Sequence, residues 1–337
     1  MTNKAKIAVT TIGIVGSVAS IIALFGNPFD REEGAGDSSV NIGLLGNIIN
    51  NSTTIVSPDD DPDSRQHKLE FAFEGKKSGQ RRNDNKYAIR FHWAPPGRFT
   101  MGSPDTEKKD EFVDYGEEQR DVTIDYGFWM AATEVTQGQW REVTSESFLD
   151  RVTRIAEEKE SDYYSTLKVG SEYPMLLVSY DEVVRFCRQL TRIEIDDGNL
   201  SKEFEYRLPT SVEWEYCCRA GTQTAFGSGD KLSPLFANYN GQYAAIDGLE
   251  REEGAICEVG LFRANRWGFH DMHGNVWEYC SDIISGGRDA IIRGGSHISY
   301  GRECRCAKWS QSPISWQRDV VGFRLVLART GEVNNEG

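Results

Sequence analysis

The longest apolar run lies at the start of the chain, Ile7 to Phe25 (IAVTTIGIVGSVASIIALF), with Lys4 and Lys6 before it and Gly26-Asn27-Pro28 after it. At 1.5 Å per residue this run would cover about 28 Å, close to the ~30 Å hydrocarbon core of a bilayer, and it has no polar face. No small-x-small cleavage site follows, so the pattern predicts an uncleaved membrane anchor over 1–29 rather than a signal peptide. Lysines kept in the cytoplasm would place the remainder outside it. Residues 30–66 are rich in Gly, Asn, Ser and Asp and close with SPDDDPDS, which predicts a flexible stalk.

From 67 to 330 the pattern becomes that of a folded domain, and 331–337 reads as a disordered tail. Lys68–Phe73, Tyr87–Trp93 and Arg98–Ser103 have strand character. The Ala94–Gly97 turn (APPG) between the last two predicts a hairpin. Beyond an acidic loop, Val122, Ile124 and Tyr126 alternate at period two. Thr136 is positioned to cap a helix that buries Trp140. Asp181 is the expected cap of EVVRFCRQLTRI, whose apolar face is Val183, Val184, Phe186, Cys187 and Leu190. The charged insertion between these helices, 146–172, shows no clear period. Thr210 and Glu213 form a capping box for SVEWEYCCRAG, and Gly221 stops that helix. The rest reads as loops, short strands and turns, which require staples such as a metal, a disulfide or buried polar networks.

Composition narrows the function. A formal charge of −14 argues against binding a phosphate backbone and so against nucleic-acid partners, while leaving carboxylates for hard cations. The seven cysteines (187, 217, 218, 257, 280, 304 and 306) form no CxxC knuckle, and an odd number cannot all pair. The residues alone predict one structural disulfide plus buried thiols. His270 and His273, three apart with no third histidine nearby, do not read as a metal pair. Trp277 reads as core, and Asp282, Arg293 and Arg324 as buried structural charges.

RFTMGS, ATEVTQGQW, YPMLLVSYDEVVRFC, RLPTSVEWEYCCRAG, NRWGFHDMHGNVWEYC, IIRGGS and VGFR occur in this order between Tyr87 and Arg329. In this the chain resembles formylglycine-generating-enzyme, or sulfatase-modifying-factor, domains. The resemblance implies an α+β, loop-rich, elaborated C-type-lectin-like fold. It also implies calcium held by Asp271, the carbonyls of Gly274 and Val276, and Glu278. Two carboxylates beside a tight Gly-Asn turn suit that ion on their own account. A second calcium would involve Asn238, the carbonyl of Tyr239 and Asp247.

Active members of that family oxidise a substrate cysteine with dioxygen and copper(I) on two thiolates. These cysteines stand three residues after the serine of RGGS and five beyond that. Counting from Ser296 in RGGSHISYGRECRCAKW, the first position is Ser299 and the second is Cys304. Cys304 and Cys306, two apart on one strand, would be spaced by about 6.6 Å, too far for a two-coordinate ion. Ser296, Cys304 and Cys306 are the catalytic candidates under an oxidase reading, with copper as its cofactor. By resemblance to catalytically silent relatives, Cys280 and Cys304 are the candidate disulfide. The favoured expectation is a binding module for a protein or peptide, displaying His297, Tyr300, Trp309 and Trp316.

Overall fold

The computed structural model describes residues 73–104, 107, 116–232, 236–240 and 254–332, all within the unit Val56–Gly337. The apolar run Ile7–Phe25, the stalk, most of the tail and Asp247 lie outside these residues. No described helix is long and apolar enough to cross a membrane.

Strands β1 (Arg81–Arg82), β2 (Phe91–Ala94), β5 (Phe128–Ala131), β6 (Phe204–Arg207) and β11 (Val326–Arg329) form one sheet in the order β1-β2-β5-β11-β6. A second sheet has the order β10-β7-β8-β9, from β7 (Trp277–Ile284), β8 (Asp289–Arg293), β9 (Trp309–Pro313) and β10 (Val321–Gly322). The hairpin expected across Ala94–Gly97 does not form. Phe91–Ala94 pairs with Phe128–Ala131, whereas β3 (Gly97–Met101) pairs with β4 (Arg120–Ile124) in a separate two-stranded sheet. Two prolines without N–H groups turn the chain from one sheet into another instead of closing a ladder.

Helix α1 (Gln137–Thr144) starts at Thr136 as its sequence predicts. The Thr136 hydroxyl accepts from the Gln139 amide, and the Gln139 side chain accepts from the Thr136 amide. Its Trp140 is buried and stacks on Phe186 at 5.1 Å with an interplanar angle of 6°. One departure from expectation follows from capping chemistry. The cap of α3 (Tyr180–Asp196) is Ser179, not Asp181, because Glu182 reaches back to the Ser179 amide at 2.8 Å and completes a capping box. The 146–172 insertion is ordered, as α2 (Phe148–Lys159) and a 3-10 turn (Asp162–Thr166).

Buried Arg151 fastens that insertion to the domain. It donates to the Leu177 carbonyl at 2.8 Å and pairs with Glu146 and Glu182 at 2.5 and 2.9 Å. Burial raises the Glu182 carboxyl pKa, but hydrogen bonds from Arg151, Ser179 and Gln317 outweigh it and bring it down to about 2.

Helix α4 (Ser211–Arg219) has the expected Thr210–Glu213 box and is buried along its whole length. Trp214, Cys217 and Cys218 pack with Phe128, Met130, Cys280 and Cys306 in the core between the sheets. This places α4 directly behind the loops that carry the candidate site.

Candidate functional site

The Asp271–Glu278 segment is wound tightly: Asp271 and Asn275 have φ of 59° and 62°, and Gly274 has 141°. At its centre Asn275 ties three loops together. Its side chain donates to Glu134 at 3.0 Å and to the Cys257 carbonyl at 3.3 Å, and its oxygen accepts from the Cys257 amide at 2.9 Å. Its backbone donates to the Asn238 carbonyl at 2.7 Å and accepts from the His297 amide at 2.8 Å. Asn275 is not among the residues that the motif spacing singles out. An Asn after Gly in a left-handed turn was the available signal.

The expected calcium ligands divide in this geometry. Glu278 has no exposed surface, and both its oxygens are engaged. Oε2 accepts from Trp214 Nε1 at 2.7 Å and from Arg324 Nε at 2.5 Å, while Oε1 accepts from Arg324 Nη2 at 2.6 Å. Burial opposes the charge on Arg324, and the paired Glu278 outweighs it, so the pKa of the guanidinium is raised. Asp271 accepts from the Gly260 amide at 2.6 Å through Oδ2, but its Oδ1 has no partner. Asn238 is held as a structural bridge, its side chain donating to the Ala255 carbonyl at 2.9 Å and to Asn275 at 3.3 Å. Tyr239 packs beside Cys304 in a small apolar cluster.

The predicted Cys280–Cys304 disulfide is corrected by the structure. All seven cysteines are free thiols, with Cys280 in the α4 core and Cys304 in the separate Tyr239 cluster. The close pair is Cys218 and Cys306, whose sulfurs are 3.4 Å apart. The chain order of the motifs does not reveal this, because Cys218 lies in the last turn of a helix 88 residues away from Cys306.

His273 lies 3.9 Å from Cys218 Sγ through either ring nitrogen, and the three side chains form the one such cluster among the described residues. Both nitrogens are occupied, however. Nδ1 donates to the Cys304 carbonyl at 2.9 Å, and Nε2 accepts from the Gly227 amide at 3.0 Å. Burial lowers the His273 pKa to about 4, so it is a neutral core histidine. The sulfur pair therefore suits a covalent link better than a metal. Closing to a bond requires the sulfurs to approach by about 1.4 Å. Folding the chain in a glutathione redox buffer is expected to join Cys218 to Cys306, with two electrons and two protons passing to glutathione disulfide. Peptide mapping without reduction reads the product, and a Cys280–Cys304 link would contradict this assignment.

The RGGS loop carries the remaining candidates. Ser296 and Ser299 are buried; the Ser299 hydroxyl accepts from the Ser296 amide at 3.1 Å and lies 3.2 Å from the Ser296 hydroxyl. Cys304 is buried beneath Gly295, where a Cβ would meet its sulfur at 2.5 Å, and its thiol donates to the Tyr300 carbonyl at 3.6 Å. Burial pushes the Cys304 thiol pKa far up. Copper held by two thiolates does not fit the RGGS loop: Ser299 offers no soft donor, and Cys304 and Cys306 lie in separate clusters.

The four display candidates separate. Tyr300 and Trp316 are each 56% exposed, and Ile298 beside Tyr300 is 52% exposed. His297 is buried against the Asn275 carbonyl, and half-buried Trp309 donates to the Gly116 carbonyl at 3.3 Å.

The family model described as the sulfatase-modifying factor enzyme 1-like domain matches residues 78–329. The chain is 27% identical over 288 residues to the formylglycine-generating enzyme of Bos taurus, covering 68% of this chain and 72% of that protein. It is 28% identical over 170 residues to the inactive C-alpha-formylglycine-generating enzyme 2 of Mus musculus, covering 48% of this chain and about half (51%) of that one. Among solved structures, PvdO from Pseudomonas aeruginosa shares the fold. The TM-score is 0.56 at 24% identity, over 75% of this chain and 99% of that chain. Active and inactive relatives thus both match, and the chain belongs to the sulfatase-modifying-factor, or formylglycine-generating-enzyme, family.

Proposed function

We propose that this domain is a binding module of its family, without formylglycine-generating activity. The observation that supports this reading is the chemistry of the RGGS loop. Oxidation of a cysteine substrate through copper(I) needs two thiolates that can approach one ion. Here Ser299 occupies the first position, and its hydroxyl is bonded back to Ser296. Cys304, at the second, is a thiol whose pKa burial raises strongly, which disfavours the thiolate. The same loop carries Ile298 and Tyr300 outward, and the following strand leads to Trp316. Exposed aromatics of this kind are good anchors for a peptide or protein, because they bury a large area with few rotatable bonds. Held near a membrane by the Ile7–Phe25 run, the domain would present this surface to a partner outside the cytoplasm.

The test uses the full chain, copper(I) and a cysteine-containing peptide, with mass spectrometry of the peptide as the readout. No copper-dependent conversion to an aldehyde is expected. In a peptide-display selection, the ligands recovered should bind Tyr300→Ala/Trp316→Ala at least tenfold more weakly, equivalent to about 1.4 kcal/mol. Copper-dependent oxidation that disappears in Cys304→Ser would overturn the reading.

A further inference from the structure

We infer that the cleft between the 222–229 and 263–266 loops binds a small organic anion that carries its own hydroxyl donors, of the sugar-acid class. The cleft has a volume of about 290 Å³, at the small end for a ligand pocket. Among the described residues that line it, none belongs to the loop carrying Ile298 and Tyr300 or to the segment leading to Trp316. Its walls are held by bonds that need no ligand. Asn265 donates to the Cys217 and Cys218 carbonyls at 2.8 and 3.2 Å and accepts from the Trp267 and Phe269 amides at 3.0 and 3.1 Å. These four bonds fix the turn that carries Arg266 against the end of α4. On the other loop, Phe226 and Gly229 exchange two backbone bonds at 3.0 Å and close a tight turn with Ser228 at its tip. A preformed cleft of this kind has little ordering cost when it is filled.

Charge sets the sign of the ligand. The chain carries −14 overall, yet the one ionisable side chain among the described residues lining this cleft is Arg266. That arginine is exposed, and Arg263 borders an adjoining recess that shares Phe236 and Asn265 with the cleft. A planar guanidinium suits a carboxylate, which it holds by two parallel bonds. Hydroxyl chemistry narrows the class further. Thr222 and Thr224 donate their protons to the Arg219 and Phe226 carbonyls, at 2.9 and 2.6 Å. Both hydroxyls therefore offer a ligand lone pairs only. Inorganic phosphate at neutral pH brings chiefly acceptors and leaves those oxygens unpaired. A sugar acid brings several O–H donors together with its carboxylate. Half-buried Phe236 supplies an apolar face for the C–H groups of its ring.

The test is calorimetric titration of the full chain with glucuronate, beside glucose, which lacks the charge, and inorganic phosphate, which lacks the hydroxyl donors. Glucuronate is expected to bind at one site per chain, and the other two at least tenfold more weakly. Arg266→Ala should weaken glucuronate binding at least tenfold. Tyr300→Ala/Trp316→Ala should leave it unchanged, which separates this site from the surface proposed for a peptide or protein. Ser228→Tyr fills the cleft from its rim, leaves the guanidinium in place and is expected to cause a similar loss, so the assignment does not rest on one variant. An oligosaccharide ending in glucuronate that binds more tightly than the free acid would identify a glycan terminus as the source; equal or weaker binding would identify the free acid. No saturable binding of glucuronate to the native chain, or binding retained in both Arg266→Ala and Ser228→Tyr, would overturn the site. Glucose or phosphate binding as tightly as glucuronate would overturn the ligand class.

Discussion

Replacing Arg324 with alanine is expected to lower the unfolding free energy by about 3–5 kcal/mol, the range for breaking a buried ion pair by removing one partner. The guanidinium has no exposed surface and joins elements that are distant in sequence. It closes two bonds on Glu278 at 2.5 and 2.6 Å and donates to the Ala131 and His270 carbonyls at 3.2 and 3.0 Å. Without it Glu278 becomes an uncompensated interior charge held only by Trp214. For a domain of this size the loss corresponds to roughly 10 °C in melting temperature. Adding Glu278→Gln to Arg324→Ala should recover part of it, because the stranded charge is gone and a carboxamide can still accept from Trp214. Equal stability of Arg324→Ala and the native chain in denaturant titrations would mean that the pair contributes no coupling.

Gly274→Ala is expected to cost a comparable amount, about 3–5 kcal/mol, from two sources. Its φ of 141° is one that L side chains rarely adopt, and such strain costs about 1–3 kcal/mol. An added Cβ would lie 2.1 Å from the Asn238 carbonyl oxygen, a backbone atom, and overpacking of that kind adds about 1–3 kcal/mol. The same movement would break the 2.7 Å bond from the Asn275 amide to Asn238 and so disturb the hub of the site. Gly221→Ala is the control. That glycine also has positive φ, at 85°, but nothing lies within 4 Å of its would-be Cβ. It should cost only about 1 kcal/mol. Chemical denaturation of the two variants side by side separates conformational strain from collision.

Local patterns were legible wherever the deciding atoms lie within a few residues of each other. Thr136 with Gln139 and Thr210 with Glu213 are three residues apart, so hydroxyl and carbonyl chemistry at that spacing identifies the helix start. Ser179 and Glu182 obey the same rule, which favours Ser179 over Asp181 as the cap. The APPG segment does not close the expected hairpin, because a turn specifies a change of direction but not which strands will pair. Phe91–Ala94 finds Phe128–Ala131 across the sheet, where Trp93 and Trp129 lie 5.1 Å apart.

The candidate site was legible as a set of motifs and illegible as a set of contacts. The identity of position 299 as serine was plain in the chain, and with it the absence of the usual thiol pair. That Cys306 sits against Cys218, that Cys280 and Cys304 belong to separate clusters, and that His273 has both nitrogens engaged were not. The same holds for the carboxylates: spacing presents Asp271 and Glu278 as equivalent candidates, and only Arg324 and Trp214 distinguish them.

Sequence by itself determined the family, the helix caps and the missing thiol at Ser299, because each depends on residue identity at short separation. Tertiary structure alone decided the thiol pair, the free carboxylate oxygens and which aromatics face outward. Each of these depends on how desolvated groups from distant segments are paired, and in the interior an unpaired charge or donor costs more than any local preference contributes.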